Sequence, residues 1–134
     1  MRYIGLDLGT KTLGISISNG FVASWYKTLK HDSEYEKIAH EVSELVENEK
    51  IDKIVLGYPK NMNNTIGERA SITLEFKKML EDLTDKEVIL EDERLTSKLA
   101  NDVLINADTS RKKRKEKVDG MASVIILQSY LDRR

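Results

Sequence analysis

Cysteine is absent from the 134-residue chain, which excludes disulfides and any metal held by thiolates. Histidine occurs only twice, at His31 and His40, too few for a zinc centre built on imidazole. A metal bound here would be held by oxygen, and oxygen donors favour magnesium or manganese. No apolar run is long enough to span a bilayer. No basic-then-apolar leader precedes the first strand pattern, so a cytoplasmic location is expected. Net charge is close to missing as well: −1 at pH 7 offers no overall attraction to nucleic acid. That average hides an asymmetry. Glutamates crowd 34–49, whereas Arg111, Lys112, Lys113, Arg114, Lys115 and Lys117 crowd a late segment. A local basic patch can hold phosphates even when the total is neutral, although a solvated loop has the same composition.

At this length one domain with a real core is expected, over 1–134. Residues 3–8 are an apolar run, and Leu13, Ile15 and Ile17 alternate with small or polar residues, the period of strands with a buried face. Gly9 supplies the turn between them. Asn19-Gly20 suits a type I′ turn into a third antiparallel strand over 21–29. Asp32-Ser33 offers an N-cap to an amphipathic helix marked by Tyr35, Ile38, Ala39, Val42, Leu45 and Val46. A short apolar strand over 53–57 follows, with the length of crossover that a parallel partner needs. Pro59, the only proline, ends it by removing a donor, and the loop 58–67 would lie at the carboxyl end of the sheet, where such folds bind ligands.

The second half reads as a helix over 68–83, with Ile72, Phe76, Met79, Leu80 and Leu83 on one side, then a strand over 87–90. Thr96 or Ser97 would cap a helix running to about 107. The basic stretch 108–115 has no apolar periodicity and is read as a loop, with the last helix over 117–131. The resulting order is β-β-β-α-β-α-β-α-α, an α/β fold with a five-stranded mixed sheet, three antiparallel strands plus two parallel, flanked by helices.

Three carboxylates stand out. Asp7 sits inside an apolar strand, where Asp is disfavoured and where an ionised group needs a partner or a metal. It would either satisfy turn amides near Thr10 and Thr12 or hold a ligand. In the run Glu91-Asp92-Glu93, alternation sends Glu91 and Glu93 to one face and Asp92 to the other. Asp119 shares a helical face with Ala122, Ser123 and Ile126; as a first-turn residue it would also complement the helix dipole. If the first, fourth and fifth strands lie side by side, Asp7, Glu93 and Asp119 could converge. Such a set suits two divalent ions about 3.5–4 Å apart in phosphodiester hydrolysis.

These segments resemble the YqgF/RuvX family of the ribonuclease H superfamily. The matching pieces are Gly5-Leu6-Asp7-Leu8-Gly9-Thr10-Lys11 with Leu13-Gly14-Ile15, Gly57-Tyr58-Pro59-Lys60-Asn61-Met62, Asp92-Glu93-Arg94-Leu95-Thr96-Ser97, and Lys117-Val118-Asp119 through Gln128. They cover essentially the whole chain in the family's order. The family usually has Asp where this chain has Asn19, and commonly Gly where it has Asn64. The resemblance implies a ribonuclease H-like fold and a catalytic metal site at Asp7, Glu93 and Asp119, holding Mg2+ or Mn2+, two ions in all. It implies trimming of the 5′ end of precursor 16S ribosomal RNA, with Holliday junction resolution as the alternative. Lys11, Asn61, Arg94 and Lys117 fall in the matching motifs as phosphate contacts. Arg111, Lys112, Lys113 and Arg114 would hold the nucleic-acid backbone. Glu116 is the runner-up for a fourth metal ligand. A reading of a different class, a non-catalytic nucleic-acid-binding factor in assembly of the pre-ribosomal particle, stays open at this point. So does the choice between monomer and homodimer.

Overall fold

Alternating apolar residues build the sheet. In the computed structural model, which describes residues 1–9, 11–58, 68–92 and 111–133 with side chains outside 68 and 111–120, β1 (Tyr3–Leu8) pairs antiparallel with β2 (Thr12–Ser18). β2 in turn pairs antiparallel with β3 (Ala23–Lys30). β4 (Lys53–Tyr58) lies parallel to β1, and β5 (Val88–Asp92) parallel to β4. The strand order is β3-β2-β1-β4-β5, the mixed sheet expected from the sequence. β4 stops one residue before Pro59.

Helices cover both faces. Ile4, Leu6, Leu8, Leu13, Ile15, Ile54, Leu56 and Val88 point to one side, against Ile38, Val42 and Val46 of α1 (Tyr35–Asn48) and Phe76 and Leu80 of α2 (Glu68–Thr84). Tyr3, Ala23 and Val55 point to the other, against Ile126, Leu127 and Leu131 of α3 (Arg111–Arg133). The period of two therefore places Tyr3, Gly5 and Asp7 on the α3 side. Gly5 sets the approach of α3. A Cβ there would lie 2.5 Å from Ser16 Oγ, 2.7 Å from Leu127 Cβ and 3.0 Å from the Ser123 carbonyl. Ser16 Oγ donates to that same carbonyl at 2.9 Å, so this close helix–sheet contact is also hydrogen-bonded.

Local signals were overridden at several points. β3 begins at Ala23, and the connection from Ser18 to Ala23 is four residues long. Gly20 alone adopts positive φ there, 117°; because Asn19 stays out of that region, the turn is not type I′. α1 starts without a side-chain cap, at Glu34. Ser33 sits at φ 67° and its N–H bonds His31 Nδ1 at 3.0 Å, so the imidazole has taken over the entry turn from the Asp32-Ser33 cap. Leu83, assigned to the buried side of α2, is exposed.

The largest correction concerns α3, which begins at Arg111, six residues before the expected start. Residues 111–115 are helix rather than loop. Lys and Arg lose little side-chain freedom in a helix, and a helix already anchored at Ala122 to Leu131 extends without a second nucleation cost. The helix expected from Thr96 or Ser97 to about 107 lies outside the described residues, as do Asn64 and most of the loop 58–67. Among the described residues no helix is long and apolar enough to cross a membrane.

Candidate nuclease site

Asp7 is the penultimate residue of β1, at the carboxyl end of the parallel strands, on the α3 face and partly exposed. Its partner across to β2 is Gly14. On the other side Gly57, the residue after the Leu6↔Leu56 pair, pairs with Glu91 of β5. A glycine thus stands beside Asp7 on each neighbouring strand. Neither glycine contributes a side chain beside the carboxylate.

The turn that follows Asp7 is braced from three directions. Arg69, in the first turn of α2, donates from Nη2 to the Leu8 carbonyl at 2.6 Å. His31 Nε2 bonds the Gly9 carbonyl at 3.0 Å. Nδ1 of that ring accepts from the Ser33 N–H, which leaves Nε2 to donate to the carbonyl. Gly9 N–H closes the turn onto the Thr12 carbonyl at 2.8 Å. Two consecutive carbonyls next to Asp7 are therefore held by side chains from elements 22 and 61 residues away. Removing the guanidinium with Arg69→Met should cost about 1–2 kcal/mol, the range of a charge-assisted bond that is partly solvated. Urea denaturation would measure it, and an unchanged midpoint would remove Arg69 from the brace.

Glu91 faces the α3 side as alternation predicts and is 8% exposed, while Asp92 is exposed on the opposite face. Glu91 pairs with Arg133, which also stacks on the Tyr130 ring at 5.7 Å. The carboxylate holds the Arg133 proton above its usual range, chiefly through their hydrogen bond. Nothing in the local sequence at 91–93 points to a partner 42 residues away.

Lys11 is exposed on the turn after Asp7. Glu93, Asn61 and Arg94 lie outside the described residues. Arg111, Lys112, Lys113, Arg114, Glu116, Lys117 and Asp119 are on the backbone of α3. Asp119 is more than two turns into that helix, so the first-turn dipole no longer accounts for it. It lies one turn before Ser123, the residue whose carbonyl meets Ser16 and Gly5. Among the described residues no cluster of three or more metal-ligating side chains is assembled.

A family model described as RuvX, Holliday junction resolvase, matches residues 1–133. A relative from Bacillus cytotoxicus named "Putative pre-16S rRNA nuclease" is 51% identical over 135 residues, covering 98% of each chain. A relative of the same name from Bacillus subtilis strain 168 is 50% identical over 135 residues, again covering 98% of each. Among solved structures, RuvC from Thermus thermophilus superposes with a TM-score of 0.60 at 13% identity, over 99% of this chain and 96% of that one. At that identity the likeness is one of fold.

Proposed function

Because the chain belongs to the RuvX family, we propose that it is a cytoplasmic, divalent-metal-dependent endonuclease that hydrolyses phosphodiester bonds at the 5′ end of precursor 16S ribosomal RNA. Residues 1–134 would form one nuclease domain. The observation that carries this reading is Asp7: a carboxylate near the carboxyl end of an otherwise apolar strand, bordered by Gly14 and Gly57 and followed by a braced turn. Nothing about strand stability asks for an acid there.

The donor chemistry fits a hard cation. Asp7, Glu93 and Asp119 are all carboxylates, and the chain has no thiolate to offer. A bound pair of divalent ions would supply activation of water and stabilisation of the leaving oxygen. The chain's own part is to hold those ions through Asp7, Glu93 and Asp119 and to fix the substrate. Lys11, Asn61, Arg94 and Lys117 would take phosphate oxygens beside the scissile bond, where positive groups stabilise developing charge. Arg111, Lys112, Lys113 and Arg114, carried at the start of α3, would hold the flanking backbone. Neutralising those four should make the logarithm of affinity less steep in salt by about 0.7 for each lost contact to a single strand. A fluorescence-anisotropy titration at several salt concentrations would show it, and an unaltered slope would return the segment to a solvated role.

The description of the family model favours a second substrate, the four-way DNA junction. The two readings part cleanly. Offered end-labelled precursor RNA and a junction side by side with manganese, the protein should cut the RNA near its 5′ end and leave the junction intact. Paired, symmetric nicks in the junction with intact RNA would assign it to recombination, and would call for a two-fold dimer; end trimming needs one copy.

A further inference from the structure

The Asp7 row continues past β2 to the edge of the sheet. Asp7 pairs with Gly14, and Gly14 pairs with Thr28 of β3. Residues opposite one another share a face, so Thr28 lies on the Asp7 side, two strand spacings or about 10 Å away. By the same register Trp25, opposite Ser16, and Lys30, opposite Thr12, are on that face too. Trp25 is 58% exposed, and its indole Nε1–H is tied to Thr28 Oγ1 at 3.1 Å, which fixes the ring over the row. Lys30 is exposed. β3 is an edge strand and carries no acid from Ala23 to Lys30. The acid that does reach this strand, Glu49, is bound by the hydroxyl of Tyr26, a residue that the β-bulge at Ile15/Ser16 leaves without a partner in β2.

An exposed, fixed indole is a poor surface feature for a monomer and a good one for stacking a base, and a lysine on the same face suits the phosphates that come with it. Lysines on an edge also oppose pairing with a second copy of the same strand. We propose that Trp25, Thr28 and Lys30 form a platform for an unpaired nucleic-acid strand. One base stacks on Trp25, and the backbone passes Lys30. This deepens the nuclease reading and rests on it: it specifies that the substrate is single-stranded on the β3 side of the scissile bond. Inside a duplex both faces of a base are taken by its stacked neighbours, so the interior of a duplex is excluded from the platform.

Trp25 is the only tryptophan, so its intrinsic fluorescence reports on this surface alone. The test is a titration of the protein in EDTA with a short oligouridylate, and with the same strand annealed to oligoadenylate. The unpaired strand should quench Trp25 saturably, and the duplex should bind without quenching. With a labelled oligouridylate, Trp25→Leu should bind about tenfold more weakly, the range of one stacked base, and Trp25→Phe should retain most of the affinity. No quenching, equal quenching by the duplex, or parental affinity in Trp25→Leu would overturn the platform. So would concentration-dependent self-association that buries the indole, which would assign the edge to a second copy. Failure of the nuclease reading is separable, because cleavage is not required. Quenching by a protein that cuts nothing with manganese leaves the platform standing without the enzyme, and cleavage without quenching does the reverse.

Discussion

Replacing Asp7 by asparagine should lower cleavage by about three orders of magnitude, the scale of losing a group that holds a catalytic metal or positions charge in the transition state. Stability should move by less than about 1 kcal/mol. The substitution is nearly isosteric, the residue is only partly buried, and Leu6 and Leu8, which bind β1 to the core, face the other way. The two readouts make the prediction sharp. Rate constants with manganese and urea midpoints on the same preparations should dissociate, with activity gone and fold retained. Glu93→Gln and Asp119→Asn should behave alike. Full metal-dependent activity in any one of them would remove that residue from the site.

Gly5→Ala is the largest stability effect expected of a single methyl group. Its Cβ would meet Ser16 Oγ, Leu127 Cβ and the Ser123 carbonyl, all at 3.0 Å or less. None of these is the free end of a flexible side chain, so α3 must move off the sheet. Overpacking of this kind costs about 1–3 kcal/mol, and the lost chain entropy of glycine returns only about 0.4–1 kcal/mol. A net loss of about 1–2 kcal/mol is a sizeable share of the roughly 5–15 kcal/mol of a domain. Combining it with Ser16→Ala removes the shortest clash but also the bond to Ser123, so the pair should be less destabilised than the sum of the singles. Strict additivity would mean that Gly5 and Ser16 do not meet the same point on α3. Since α3 also carries Asp119, the folded fraction of Gly5→Ala should be slower as well as scarcer.

What was legible in the sequence was periodic. Ile4, Leu6 and Leu8 against Leu13 and Ile15 announced two strands; the apolar positions of α1 announced its buried face; the crossover into β4 announced a parallel partner. Asp7 could be singled out because it breaks its own strand's pattern. What escaped was contact between distant segments. Arg69 on Leu8, His31 on Gly9, Ser16 on Ser123 and Arg133 on Glu91 are separated by 22 to 107 residues, and no local spacing encodes them. The start of α3 was missed for a different reason: residues 111–117 contain no apolar residue, so no stripe betrays a helix there. The entry to α1 was misjudged because a histidine took the place that Ser33 would ordinarily fill. Of the site itself, only Asp7 and Lys11 are seen with their side chains in place.

The most direct measurement is cleavage of end-labelled precursor 16S RNA by the parent protein in manganese and in EDTA, beside Asp7→Asn, Glu93→Gln and Asp119→Asn. The expected result is a discrete cut near the 5′ end that appears with manganese, vanishes with EDTA and is absent from all three variants. Cleavage that persists in EDTA, or that survives in all three variants, would contradict a metal-dependent site built on these acids.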